Sequence, residues 1–91
     1  MKMNKEEMFK LFKKLCKGEI ESIIIYEPKF DRVERGAKFF WCEDSIDVVL
    51  WNSWDNVKEN KDMIVSRGLA WCFFKQAMYS AERVDVVERQ I

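Results

Sequence analysis

The residue types in this chain that are best suited to catalysis are carboxylates and a lysine near its middle. Asp47, Glu59 and Lys61 are the types found in metal-dependent nucleases, where acidic side chains hold a divalent cation and a lysine orients the attacking water. Short motifs of this kind often arise by chance. The nuclease would also need Glu59 and Lys61 on a strand, but the segment around them lacks apolar alternation. We therefore place this function behind two binding functions.

Residues for other catalytic or cofactor sites are missing. The 91-residue chain has no His, which removes imidazole bases, His-centred triads and most zinc sites. Its three Gly are far apart in sequence, so no glycine-rich loop can surround a phosphate. The three Cys form no CxxC pair, a pattern typical of buried, reduced thiols. The sequence therefore predicts a non-enzymatic protein without a metal or a cofactor.

Composition predicts one folded domain over residues 1–91. Hydrophobic residues make up 48% of the chain and charged residues 35%, which is too apolar for disorder and too charged for a bilayer. Equal numbers of cationic and acidic residues, 16 each, argue against bulk binding of duplex DNA. The charged N-terminus and the absence of a long apolar run predict a cytoplasmic protein with no membrane partner.

The charges behind this balance are segregated along the sequence. The first predicted helix has a secondary basic face, formed by Lys10, Lys13, Lys14 and Lys17. The stretch from Phe39 to Asp55 has no basic residue and four acidic ones, Glu43, Asp44, Asp47 and Asp55. Although its net charge is zero, the chain is therefore predicted to be dipolar, with positive charge on the first helix and negative charge on the segment from Phe39 to Asp55.

Three of the four Trp lie in the acidic stretch, and two of them, Trp51 and Trp54, flank the polar pair Asn52-Ser53. Trp is enriched at binding hot spots, so this segment predicts a surface for a bacterial or host protein with a basic surface. The predicted partner-binding residues are Trp51, Trp54, Asp55, Glu43, Asp44 and Asp47. The alternative is a small nucleotide-binding module, in which exposed Trp rings stack on the base. Its phosphate contacts would come from Arg32, Arg35 or Arg67.

A helix, a strand and a hairpin must position these residues. Asn4 and Glu7 predict a helix start, and Gly18 predicts its end. The β-branched run Ile20–Tyr26 predicts a strand. Two further apolar runs, Ala37–Cys42 and Ile46–Trp51, are joined by a polar turn and predict an antiparallel hairpin. Alternation along its second strand places Ile46, Val48 and Leu50 on one face and Asp47, Val49 and Trp51 on the other.

The C-terminal third is less regular. Residues 52–62 are polar and predict a loop or a short helix, and helical spacing predicts a helix over residues 73–88. Val84–Val87 is open to a second interpretation, a final strand, because β-branched residues lower helix propensity. The predicted fold is α+β, a small antiparallel sheet of three to four strands covered by an N-terminal and a C-terminal amphipathic helix. An unpaired sheet edge also allows a homodimer.

The C-terminal half resembles that of many small phage and prophage proteins. The resemblance is carried by Trp51, Arg67-Gly-Leu-Ala-Trp71, Lys75-Gln-Ala77 and Ala81-Glu82-Arg83. In such proteins a Trp-containing strand precedes a polar loop, a short extended piece and a helix. The resemblance implies origin in a mobile genetic element, whose small proteins include anti-defence inhibitors of host defence or transcription complexes. It transfers no catalytic residues.

Overall fold

A computed structural model describes residues 3–90 and arranges them as two helices and five strands. In chain order these are α1 (Lys5–Cys16), β1 (Ile20–Tyr26), β2 (Val33–Trp41), β3 (Ile46–Trp54), β4 (Val57–Val65), α2 (Arg67–Tyr79) and β5 (Arg83–Glu88). The strands form one antiparallel sheet in the order β4-β3-β2-β1-β5. The α+β class is confirmed, whereas the predicted three to four strands were too few.

Helix α1 begins and ends where its sequence predicts. The Asn4 side chain accepts a hydrogen bond from the Glu7 backbone N–H at 2.8 Å, and the Glu7 carboxylate accepts one from the Asn4 N–H at 3.2 Å. This capping box satisfies two donors that the first helical turn leaves unpaired. At the other end Gly18 has a φ of +75° and its N–H donates to the Leu15 carbonyl at 3.0 Å. The left-handed turn leads the chain directly into β1.

Strand β4 corrects the prediction of a loop or short helix over residues 52–62. All nine of its residues pair with β3, from Trp54 opposite Val57 to Ile46 opposite Val65. Asp55, with a φ of 53°, makes the tight turn between the two strands. β4 is an edge strand with little cover, so its side chains remain polar, and charged residues on an edge discourage pairing with other chains. Alternation is therefore missing although the strand is present.

The predicted helix over residues 73–88 is divided in the structure. Helix α2 starts earlier, at Arg67, where the Ser66 hydroxyl accepts a hydrogen bond from the Leu69 N–H at 3.2 Å. After Tyr79 the chain turns and returns as β5, antiparallel to β1. The strand interpretation of Val84–Val87 is the one the structure adopts, because β1 offers an unpaired edge to these β-branched residues. The second helix is therefore internal to the chain and not C-terminal.

The core lies between the two helices and one face of the sheet. Phe74 of α2 is buried against Phe12 of α1 and Phe39 of β2, with ring centroids 5.2 and 5.4 Å apart respectively. The hairpin prediction is confirmed, because β2 and β3 pair antiparallel, and Ile46 and Val48 are buried in this layer as alternation predicted. Aromatic rings at these distances contribute beyond the area that they bury.

Replacing Phe74 with Ala should lower the free energy of unfolding by about 3–5 kcal/mol, because the ring is fully enclosed by three elements. Phe30 supplies a matched control: it is 80% exposed, and its replacement by Ala should cost less than about 0.5 kcal/mol. Urea denaturation followed by far-UV circular dichroism measures both. Similar losses for the two variants would contradict this description of the core.

Candidate functional site: the open face of the sheet

One face of the sheet packs against the helices, and the opposite face has no cover in residues 3–90. Successive side chains of a strand point to opposite faces, so the buried Ile23, Ile25 and Val48 face the helices and their neighbours point away. We call the uncovered side the open face. By strand register its charged and large apolar side chains are Ile24, Tyr26, Glu34, Lys38, Phe40, Asp47, Val49, Trp51, Lys58, Asp62, Ile64, Arg83, Asp85 and Val87.

Two of the six predicted partner-binding residues lie together on this open face. Asp47 and Trp51 share it because they are four positions apart on β3. Trp54 has the opposite parity on the same strand and points to the helix side. Asp55 lies in the β3–β4 turn, where its carboxylate pairs with Arg32 at 3.1 Å. Trp54 and Asp55 are close to Trp51 in sequence but do not share its face, whereas the more distant Asp47 does, because faces alternate along a strand.

Glu43 and Asp44 lie at the far end of β3 from Asp55. Both are exposed in the segment that joins β2 to β3. A nine-residue strand is roughly 26 Å long, so these carboxylates and Asp55 cannot contact one small site. The six predicted residues do not form a single surface, and the acidic stretch from Phe39 to Asp55 contributes Asp47 and Trp51 to the open face.

Asp47 is the most unusual group on the open face. Its register partners are Phe40 on β2 and Ile64 on β4, both apolar. Its Oδ1 atom is buried and has no hydrogen-bond partner among the described residues. Burial, together with the neighbouring carboxyl of Asp62, raises the pKa of Asp47 to about 6. An acidic group is thus held in a position that disfavours its charge.

An aromatic and cationic row crosses the open face at the level of Trp51, four residues along β3 from Asp47. The Arg83 guanidinium lies 3.9 Å from the ring centroid of Tyr26, and Tyr26 meets Trp51 edge to face at 5.5 Å. Lys38 Nζ is 5.7 Å from the Trp51 ring. The Trp51 indole lies directly across Gly36, which has no side chain to displace it. The Trp51 ring thus covers the backbone at Gly36, as when an aromatic side chain covers a strand glycine.

A cleft of about 520 Å³ opens at one end of this row. Trp51 and Tyr26 line it together with three cationic residues, Lys29, Arg35 and Arg83, which are residue types that a nucleotide site would use. The same cleft is also lined by three carboxylates, those of Glu27, Glu34 and Glu82. Carboxylates repel phosphate groups, so this geometry favours a nucleotide less than it favours a ligand of mixed charge.

The other two arginines of the nucleotide alternative lie outside this cleft. Arg32 is paired with Asp55 in the β3–β4 turn. Arg67 donates a hydrogen bond to the backbone carbonyl of Glu43 at 2.8 Å, where it joins α2 to the β2–β3 turn. Of the three proposed phosphate contacts, Arg35 alone lines the cleft in the described chain.

The residues of the nuclease interpretation lie on two faces. Glu59 and Lys61 do lie on a strand, contrary to the sequence expectation, and they pair with Asn52 and Leu50. That register places both on the helix side of the sheet, while Asp47 is on the open face. Within the described ranges there is no group of three or more His, Cys, Asp or Glu side chains arranged to hold a metal ion. The structure therefore does not bring Asp47, Glu59 and Lys61 together as a nuclease site would require.

Sequence reasoning missed Asp62, Lys38 and Tyr26. Asp62 was missed because residues 52–62 were interpreted as a loop or a short helix, so that no face of a sheet could be assigned to it. Lys38 shares its parity with Phe40 on β2, so alternation on that strand could have placed it on the open face. Strand order was needed to bring Tyr26 close to Trp51, since β2 lies between their strands.

Comparisons with family models, curated proteins and solved structures found no match for this chain. None of the helices in the described part of the chain is both long and apolar enough to span a bilayer. What the open face can bind therefore follows from its own chemistry.

Replacing Asp47 with Asn should stabilise the protein at about pH 8 by about 1–2 kcal/mol, with solvent screening of this half-buried group allowed for. The pKa of Asp47 in the folded state lies above its usual value of 3.8, so protonation favours folding and this contribution is lost as the pH rises through about 6. The difference between the two proteins should therefore shrink toward about pH 5.

Urea denaturation at a series of pH values measures this effect. Asp44→Asn is the matched control, because Asp44 is exposed in a turn and its replacement should change stability by less than about 0.5 kcal/mol. A wild-type protein that is more stable than Asp47→Asn at every pH would contradict the assignment of a destabilising charge.

Gly36→Ala should destabilise the fold by about 1–3 kcal/mol, because the new methyl group would overlap both the Trp51 ring and the backbone carbonyl oxygen of Ile25, and only the first overlap depends on the indole. In a Trp51→Ala background the ring is gone and the cost should be smaller. A double-mutant cycle of urea midpoints measures this coupling. An equal cost in both backgrounds would show that the indole does not occupy this space.

Proposed function

We propose that the protein is a non-enzymatic binding factor that docks a partner protein on its open face. Asp47 and Asp62 receive a Lys or Arg side chain of that partner, Phe40 and Ile64 supply the apolar contact around it, and Trp51 adds apolar surface four residues further along β3. The proposal rests on the buried Asp47 oxygen that lacks a hydrogen-bond partner among the described residues. A cationic side chain that approaches the carboxyl from solvent would favour its charged form.

Three further features support a protein as the partner. The open face combines charged groups with apolar side chains, and Ile64 on it is 73% exposed. Apolar area and a central charged pair are typical of a docking surface. Outside the helices and the α1 C-cap Lys17, the described chain has 14 acidic residues against eight basic ones. At the open face this excess is represented by Asp47 and Asp62, whose charges favour a cationic side chain of the partner.

The narrower form of the proposal is a bacterial or host protein as the partner, in a defence or transcription complex. Its support is the sequence resemblance of the C-terminal half to small phage and prophage proteins, although the polar loop of that pattern is strand β4 here and its extended piece is the start of α2. A cytoplasmic setting is part of the proposal, because Cys16, Cys42 and Cys72 are free thiols. Of these, Cys72 is exposed, in contrast to the buried thiols expected from the sequence.

Affinity capture from bacterial lysate tests the surface with two charge-matched variants. Asp47→Asn with Asp62→Asn removes two carboxylates from the open face, and Asp44→Asn with Asp55→Asn removes two from the turns. We expect the wild-type protein and the turn variant to retain the same protein in stoichiometric amount, and the open-face variant to lose it by at least about tenfold in affinity. Retention of that protein by the open-face variant, or capture of none, would overturn the proposal.

Partner binding should also depend on pH. Since binding requires ionised Asp47, whose pKa is about 6, affinity for the purified partner should fall as the pH drops through that value. The Asp47→Asn variant should bind weakly with a flatter pH profile. Calorimetric titration measures both profiles, and identical slopes for the two proteins would contradict a role for Asp47.

Sedimentation of the purified chain separates a homodimer from a foreign partner. We expect a monomer at micromolar concentration. A dimer that the open-face variant abolishes would show that a second copy of the chain occupies this face, and it would replace the proposal.

A further inference from the structure

The zero net charge of the chain is divided between the two layers of the fold. The two helices, together with the α1 C-cap Lys17, carry seven Lys and Arg against two Glu. Both Glu are in the first turn of α1, where Glu7 completes the capping box and Glu6 lies 3.9 Å from Lys10. Helix α2 has no acidic residue. The outer surface of the helical layer is therefore positive, although the whole chain is neutral.

The contact between α1 and α2 exposes aromatic surface within this positive layer. Phe9 is 50% exposed and meets Trp71 edge to face at 5.4 Å. Lys13 Nζ lies 6.0 Å from the Phe9 ring centroid, and Lys75 Nζ lies 5.6 Å from that of Trp71. We call these four side chains the helical seam. It places two ammonium groups beside two rings on the face of the molecule opposite to the open face.

The cations around the seam are free to meet an external anion. Among residues 3–90, Lys13, Lys14, Lys17 and Lys75 make no ion pair. Along α1 the basic side chains recur every three or four residues, so they are about 5 Å apart along the helix axis. This is a row of cations with aromatic surface at its side, which is how proteins hold a single strand: lysines contact phosphates and rings stack on bases.

We propose that the helical seam binds single-stranded nucleic acid. Lys13 and Lys75, with Lys14 and Lys17 along α1, contact the phosphates, and Phe9 stacks on a base. A duplex suits the seam less, because its bases are already stacked and hide their faces from Phe9. An anionic membrane is disfavoured because Phe12 and Leu15, the apolar face of α1, are buried in the core and cannot enter a bilayer.

The probes are fluorescein-labelled oligo-dT and oligo-U of about 15 nucleotides, titrated by anisotropy at about 50 mM salt. Lys13→Glu with Lys75→Glu should raise the dissociation constant by at least about tenfold. The matched control is Lys58→Glu with Lys61→Glu, which makes the same charge change at exposed positions of β4. That control should bind within about threefold of wild type, and the wild-type salt dependence should have a slope of about −2 to −3.

Stacking is tested by Phe9→Ala on normal and abasic strands of equal length. Base stacking predicts about a fivefold to tenfold loss on oligo-dT and no change on the abasic strand. Melting temperatures of the variants establish that each is folded, and the lysine variant keeps the test decisive if Phe9→Ala unfolds.

Several results would overturn this inference. One is that the wild-type protein does not bind the oligonucleotides, and another is that the two charge variants lose affinity equally. A third is that folded Phe9→Ala binds oligo-dT as tightly as the wild type does. The last is that polyglutamate binds the wild-type protein as tightly as the oligonucleotides do. The last would assign the helical seam to an acidic protein. Because the open face lies on the other side of the sheet, its carboxylate variants should bind oligo-dT as wild type does, so the two proposals fail independently.

Discussion

The packing of Phe74 against Phe12 and Phe39 is the contact on which the rest of the structure depends. A chain of 91 residues can enclose one core, and both helices are needed to enclose it. They therefore pack on the same side of the sheet, and in the described chain its other side remains uncovered. The open face and the outer surface of the helices are both consequences of this two-layer arrangement, because neither is required to bury the core.

Because of the same arrangement, a chain with zero net charge folds into a molecule whose helical layer is basic and whose remaining part is acidic. Basic residues concentrate on the helices, and acidic residues are in excess over the rest of the described chain. On the open face this excess includes Asp47, whose pKa of about 6 reflects burial first and Asp62 second. A carboxyl held among Phe40 and Ile64 opposes folding when ionised, and a cation brought by a partner would relieve that opposition.

Local sequence signals predicted the elements whose residues interact with near neighbours in the chain. The Asn4 and Glu7 cap of α1, the strand Ile20–Tyr26 and the β2–β3 hairpin are all present. Prediction failed for the segments that become strands only by pairing with another strand of the sheet. β4 lacks alternation because its polar side chains lie at an edge, yet β3 pairs with all of it. Helical spacing extended into Val84–Val87 by coincidence, and the free edge of β1 decided for a strand.

The sequence by itself determined the α+β class, the faces of β3 and the residues with charge and aromatic character. Each depends on alternation, capping or composition, which act within a few residues. Only the tertiary structure decided which of these residues meet. It separated Glu43, Asp44, Trp54 and Asp55 from Asp47 and Trp51, and joined Asp47 to Asp62 and Phe9 to Trp71. Such pairings depend on strand order and on helix packing, which arise from burying one common core and which no local pattern records.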